Sequence, residues 1–205
     1  MPRPRADALR NRERIVVAAR EMFVECGADV ALDEIARRAG LGNATLYRHF
    51  PDRATLARHV VLYVMDRVTA QAETAMVEES DPFEALCRFV HAAADERIGA
   101  LCPMLSGNFD HEHPELLAAR HDLEAAVEEL VRRGQEGGVV RPDIAVGDLM
   151  VALSQLSRPL PGTSCPSLDR FTHRHLQLFL DGLRAPARST LPGSAITLDD
   201  LRSPR

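Results

Sequence analysis

A chain of 205 residues is long enough for one well-buried domain plus a smaller one, and too short for two large domains or a multi-module enzyme. Hydrophobic residues make up 45% but aromatics only 4%, with no Trp, in a sequence rich in Ala, Leu and Arg, which favours helices throughout; because all 25 basic residues are arginine, a Schiff-base lysine and the lysine of a Walker A loop are excluded. The net charge of -5 is unevenly spread: residues 1–58 hold 11 Arg against 8 Asp and Glu, and the remainder 14 against 22, so positive charge is local to the front of the chain, as a nucleic-acid-binding surface requires.

After a Pro- and Arg-rich arm, Ile15, Ala18, Ala19, Met22 and Phe23 fall at helical spacing, which predicts a helix over 6–26 that stops at Gly27. Two short helices follow, over 32–39 and 43–50, separated by Gly40-Leu41-Gly42, room only for a tight turn. Ile35, Ala36, Leu41, Leu46 and Phe50 supply their buried faces. Pro51-Asp52 interrupts the run, and a longer amphipathic helix over 52–79 carries Leu56, Val60, Tyr63, Val64 and Val68 on one stripe, connecting two domains.

Asp81-Pro82 opens a helix to about Gly99, and Pro114 opens another that ends at Gly137-Gly138, with an irregular loop over 109–113 between them. Two last helices are expected over 143–156 and 167–183, split by a Pro, Gly and Ser-rich loop. Their apolar residues nearly encircle them, more than one core face needs, so Leu149, Leu153, Leu156, Phe171, Leu176, Phe179 and Leu183 are expected in a subunit interface. From Pro186 periodicity is lost and a disordered tail is expected. Cys26, Cys87, Cys102 and Cys165 show no CxxC spacing, so neither a disulfide framework nor a four-cysteine zinc site is indicated, and a reducing cytoplasm suits them. The longest apolar run, Val60 to Met65, is far too short to span a bilayer.

The block from Ala31 to Phe50 carries the chemistry. A helix that reads DNA exposes small or polar residues at its N-terminal end, while its apolar positions hold it from behind. Asn43, Ala44, Thr45, Tyr47, Arg48 and His49 meet the first requirement, and Leu46 and Phe50, one turn apart, meet the second. Ile35-Ala36, Ala39-Gly40 and Thr45-Leu46-Tyr47-Arg48-His49-Phe50, with the preceding helix and Asp52-Arg53-Ala54-Thr55-Leu56, resemble the TetR family of bacterial regulators over roughly the first quarter of the chain. More weakly, Asp81 to Leu86, Gly138 to Asp143 and Leu180 to Arg184 are similar to ligand-binding domains of an actinobacterial subgroup.

The resemblance implies an all-α fold: a three-helix helix-turn-helix domain over 1–55, a larger helical effector-binding and dimerisation domain over 56–185, and a tail over 186–205. It also implies that Thr45, Tyr47 and His49 contact phosphates, that Asn43, Ala44 and Arg48 approach base edges, and that Arg53 contacts the backbone from the next helix. Hydroxyls, an imidazole N–H and guanidinium groups are suitable phosphate donors, and Arg3 and Arg5 are placed to follow the minor groove or phosphates. Ala31 and Gly42 depart from the family's hydroxyl residues, each removing a cap from a helix start.

Phe83, Leu86, Phe89, Val90, Met104, Phe109, Leu123 and Val127 lie where such folds place an apolar pocket for a small-molecule effector. The expected function is that of a homodimeric repressor released by an effector from a palindromic double-stranded DNA operator, without a cofactor, metal, membrane or catalytic residue. The alternatives are an all-helical enzyme, for which no GxSxG, HExxH or paired-carboxylate pattern exists, and a metal-responsive sensor using the 110–113 loop with Cys102 and His121 nearby. Gly40-x-Gly42 is not a dinucleotide fingerprint, because Thr45 stands where the third glycine belongs and a helix precedes it.

Overall fold

The computed structural model describes residues 4–27, 29–97, 110, 112–158, 168–198 and 200. Within them the chain is helical: α1 Pro4–Cys26, α2 Leu32–Arg38, α3 Asn43–His49, α4 Arg53–Glu78, α5 Pro82–Asp95, α6 Pro114–Glu136, α7 Val146–Leu156 and α8 Leu168–Leu183. Their contacts divide the chain into two compact units, one reaching Val64 and including the start of α6 as far as Leu117, the other formed by the rest. The partition lies inside α4, and the expected division at 55/56 falls in the first turn of the same helix.

The first unit is built from α1, α2, α3 and the start of α4. Ile15, Ala19, Phe23, Ile35, Ala36, Leu46, Phe50, Leu56 and Val60 are buried, so apolar residues three, four and seven apart on α1 close over the two short helices. Helices of seven residues hold little stability of their own, and this shared core is what keeps α2 and α3 formed.

The turn between α2 and α3 has one glycine that nothing else replaces. The Gly40 amide donates to the Arg37 carbonyl at 3.0 Å and the Leu41 amide to the Ala36 carbonyl at 2.9 Å, the paired bonds of a Schellman stop. That stop needs a left-handed residue, and Gly40 has φ +65°; a Cβ there would also lie 2.8 Å from the Arg14 guanidinium. Neither α2 nor α3 has a side-chain cap, as Ala31 and Gly42 lead one to expect. At α4, by contrast, Asp52 accepts the Thr55 amide at 2.7 Å.

In the second unit Asp81 caps α5 by accepting the Phe83 amide at 2.7 Å, with Pro82 in the first turn. The helix ends at Asp95, earlier than expected, with Glu96 as its cap and Arg97 turning into the left-handed region with φ 59°. α5, α7 and α8 pack on one another, burying Phe83, Leu86, Phe89, Leu149, Leu153, Leu176 and Leu180, while α6 contributes Val127, Leu130 and Val131 to the buried apolar set. α7 starts at Val146, later than expected, because residues 141–145 form an irregular crossing in which Asp143 pairs with Arg141.

That crossing is held by Arg141. Its guanidinium is buried, pairs with Asp143 at 2.6 and 2.8 Å, and donates to the Ser189 carbonyl at 2.8 Å. Beside it Val140 and Arg184 form an antiparallel bridge, with the Arg141 amide on the Leu183 carbonyl at 2.9 Å and the Ala185 amide on the Val139 carbonyl at 3.0 Å. The stretch from Pro186, where a disordered tail is expected, is irregular but bonded to the rest of the unit as far as Ile196. The Ile196 amide donates to Asp148 at 3.2 Å, and a Cβ on Gly147 would stand 2.3 Å from the Ile196 carbonyl oxygen. Loss of helical periodicity removed one signal of order; side chains distant in sequence supply the contacts.

Candidate nucleic-acid interface

α3 is anchored from behind and bare in front. Leu46 and Phe50 are fully buried, whereas Asn43, Ala44, Tyr47 and Arg48 are exposed, Tyr47 to 47%. Thr45 and His49, at the margin, are half-buried. Among the described residues, the side chains of Asn43, Tyr47 and Arg48 make no hydrogen bond or ion pair.

The surrounding arginines are committed within the unit. Arg14 donates to the Ala39 carbonyl at 2.7 Å, a cation at the C-terminal end of α2. Arg38 spans Glu21 and Glu25 at 3.2 and 2.7 Å. Arg53, expected to contact the DNA backbone, donates one N–H to the Val30 carbonyl at 2.6 Å and so braces the loop between α1 and α2. Arg5 lies in the first turn of α1, and Arg3 is outside the described residues.

A cluster that sequence reasoning missed fixes the far end of α3. The Arg12 guanidinium sits 5.2 Å from the centre of the Phe50 ring, and His59 meets the same ring edge-on at 5.3 Å. A carbonyl only accepts, so the His59 Nδ1–H donates to the Thr55 carbonyl at 2.9 Å. The Nε2 lone pair then accepts from Arg12. Burial holds His59 below the ordinary histidine pKa, and Arg12 and Arg58 lower it further against the opposing pull of the Thr55 carbonyl. The imidazole is neutral because its acceptor nitrogen is needed. Arg12 and His59 are 47 positions apart, and no local pattern announces such a pair.

His49 is likewise held below its ordinary pKa, by burial first and then by Arg48 and Arg12. Its Nε2 is covered and without a hydrogen-bond partner among the described residues. Covering a bare lone pair costs less than covering an unpaired N–H, which puts the proton on Nδ1 as the donor left for an anion.

In the second unit, the residues expected to line a pocket divide. Phe83, Leu86, Phe89, Val90 and Val127 are buried and Leu123 is half-buried, while Met104 and Phe109 lie outside the described residues. The expected subunit interface needs correction. Leu149, Leu153, Leu176 and Leu183 face the chain's own core, at most 4% exposed, so they have no surface left to give a partner. Of that set Phe171, at 50%, is outward and Leu156 and Phe179 are half-buried; Leu178, another of the apolar residues that encircle α8, is 60% exposed. A hollow of about 1130 Å³ lies between the end of α8 and residues 184–191, with Arg141, Leu178, Phe179 and Asp181 in its wall.

For the 110–113 loop, His111 and Cys102 lie outside the described residues and His121 is exposed. Among the described residues no three of His, Cys, Asp and Glu are grouped to hold a metal ion, and no helix is long and apolar enough to cross a membrane.

Comparison with known proteins agrees with this geometry. Residues 15–60 match the family described as bacterial regulatory proteins, tetR family, and residues 81–185 match that described as transcriptional regulator SbtR-like, C-terminal domain. A curated HTH-type transcriptional regulator of Staphylococcus aureus is 41% identical over 58 residues, 28% of this chain and 31% of that protein. The match thus spans about a third of that relative's length. Among solved structures, a TetR transcription regulatory protein from Mycobacterium vanbaalenii is 32% identical, covering 88% of this chain and 99% of that one with a TM-score of 0.62. A TetR transcriptional regulator from Streptomyces coelicolor is 30% identical over 86% of this chain and 99% of its own, with a TM-score of 0.65. At 22% identity, LfrR from Mycobacterium smegmatis, solved in complex with proflavine, shares the fold over 89% of this chain and 99% of its own with a TM-score of 0.61. With one family covering the helix-turn-helix and another most of the second unit, the chain belongs to the TetR family of bacterial transcriptional regulators, DNA-binding proteins and not enzymes.

Proposed function

We propose that the chain is a repressor that binds a palindromic operator as a homodimer and leaves it when a small molecule enters the second unit. The observation that carries the DNA half is the front of α3: Asn43, Tyr47 and Arg48 expose side-chain donors with no partner among the described residues, on a helix whose back is pinned by Leu46 and Phe50. Arg48 and Asn43 reach base edges in the major groove, with Ala44 small enough to let the helix approach; Thr45, Tyr47 and the His49 Nδ1–H take phosphates. Arg53, which braces Val30 from the start of α4, lies toward the DNA backbone, and Arg3 and Arg5 follow from the N-terminal end. Two such helices, one per protomer, enter successive major grooves about 34 to 36 Å apart.

The dimer forms through the outward residues of α7 and α8, with Phe171 and Leu178 at its centre. The effector displaces part of the apolar cluster of Phe83, Leu86, Phe89 and Val90, and α4, which runs unbroken from Arg53 to Glu78, carries the change. An effector acts only by binding one arrangement better than the other. That LfrR, which shares the fold, was solved in complex with proflavine supports a small-molecule site in this chain.

The test is a salt-titrated binding assay on the DNA upstream of the protein's own coding region, comparing wild type with Tyr47→Ala and Arg48→Ala. Loss of binding in both, with Tyr47→Ala also flattening the salt dependence, supports the assignment. Unchanged binding removes it. A thermal-shift screen of small molecules tests the effector separately, since a ligand of the folded state raises the melting temperature.

A further inference from the structure

α8 is fixed from behind and open in front. Leu176, Leu180 and Leu183 are buried, and His173 is hydrogen-bonded to His91 of α5, Nδ1 to Nδ1 at 2.9 Å. On the opposite side Phe171, Arg174, Leu178, Asp181 and Gly182 are all exposed, Phe171 to 50% and Leu178 to 60%. At about 100° per residue these five fall within one sector of about 100°, so they make a single stripe along the helix.

Two members of the stripe have no use inside the chain. A Cβ on Gly182 would meet nothing within 4 Å, and its φ lies outside the left-handed region, so neither space nor backbone demands a glycine there. Glycine nonetheless weakens a helix relative to alanine. The Arg174 guanidinium has no partner among the described residues. Asp181 takes the Gln177 amide on one carboxylate oxygen at 2.9 Å, and it stands about 10 Å along the axis from Arg174, too far for the two to pair within one helix. Beside Leu178 and Gly182 opens the hollow of about 1130 Å³, walled further by Pro186, Ala187 and Leu191.

We propose that α8 pairs antiparallel with α8 of a second copy, with the partner's Phe171 seated at Gly182 against the mouth of the hollow and Arg174 paired with the partner's Asp181. The assignment rests on the dimer reading and adds to it a register and the contacts that select an identical partner. A two-fold axis between residues 176 and 177 sets Phe171 opposite the partner's Gly182, and by the same symmetry each contact occurs twice. That register leaves Arg174 and the partner's Asp181 on one flank, about 3 Å apart along the axis, within reach of a guanidinium. A parallel pairing would instead set Arg174 against the partner's Arg174 and Asp181 against the partner's Asp181, two repulsive contacts. Glycine at 182 lets the facing helix and its Phe ring approach closely, and the ring covers apolar wall that water otherwise touches.

The test measures the dimer dissociation constant of the full chain by sedimentation equilibrium, without DNA. Arg174→Asp and Asp181→Arg should each weaken the dimer more than about tenfold, and the chain carrying both should regain it. Mixed in equal amounts, the two single variants should form a heterodimer tighter than either homodimer, because each then meets an opposite charge at both ends. Gly182→Leu should also weaken the dimer more than about tenfold by filling the seat of the partner's Phe171. Circular dichroism at low concentration checks that each variant is folded; where Gly182→Leu is not, Gly182→Ala serves, and it should raise the monomer's melting temperature while still weakening the dimer. A wild-type chain that dimerises with no rescue in the double variant or the mixture, or with a dissociation constant indifferent to Gly182, overturns this pairing and leaves the dimer reading standing. A wild-type chain that stays monomeric overturns both.

Discussion

α3 and α8 both place residues on the surface, but only α3 does so in the way its sequence announces. α3 is seven residues long with two large apolar side chains one turn apart, so its inside is unambiguous and Asn43, Ala44, Tyr47 and Arg48 are left outside. α8 has apolar residues on most sides, and the structure sends Leu176, Leu180 and Leu183 to the core while leaving Phe171 and Leu178 out. A helix encircled by apolar residues has two faces to bury, and periodicity does not say which meets its own chain and which meets a partner.

Mutations that separate those two faces have the largest effects. Phe50→Ala should destabilise the first unit by about 3 to 5 kcal/mol, and Leu149→Ala the second by about 2 to 5 kcal/mol, both independent of protein concentration in urea unfolding. Phe171→Asp and Leu178→Asp should leave the monomer's stability within about 0.5 kcal/mol and shift sedimentation toward monomer. Concentration-dependent destabilisation by Leu149→Ala would reverse the assignment of its face.

On the α3 side, Arg48→Ala should cost about 1 to 3 kcal/mol of operator binding and relax the base preference at one position, read by binding to a panel of single-base operator variants. A uniform loss across the panel would make Arg48 a phosphate contact instead.

The Arg12–Phe50–His59 cluster gives a pH dependence. Burial and the nearby arginines depress the folded pKa of His59 below the 6.5 of an ordinary histidine, so the unfolded chain takes up the proton first as pH falls. The contribution is complete above that value and is lost as pH drops below it; His49, shifted in the same direction, adds to the slope. Urea midpoints between pH 8 and 5 should fall, and His59→Gln should flatten the curve.

The smallest expected effects are gains. Ala31→Thr restores the missing cap of α2 and should add about 1 kcal/mol, while Gly42→Ser should add only a few tenths before α3. Both are measurable by thermal unfolding, and either substitution leaving operator affinity unaltered would show that the caps serve the fold alone.

Much of the first unit was legible because its signals are local. The apolar spacing on α1, the glycine turn and the Leu46–Phe50 pair each lie within one or two helical turns, and the Schellman bonds at Gly40 match what the turn required. Arg12 and Arg53 were not legible in the same way. One reaches His59 and the other Val30, across separations that no window of sequence displays, and an arginine beside a reading helix looks alike whether it braces the fold or awaits a phosphate. The end of the chain shows the same limit. Residues 184–198 carry no periodic pattern, yet Arg141 and Asp148 hold their backbone.

The amino-acid order alone determined that the chain is helical, that a short helix from Asn43 is held by Leu46 and Phe50, and that positive charge gathers at the front, because periodicity, glycine stops and charge act over a few residues. Only the tertiary structure decided which leucines of α7 and α8 are spent on the core, which arginines are already bonded, and that His91 meets His173, because each depends on groups brought together by packing from distant parts of the chain.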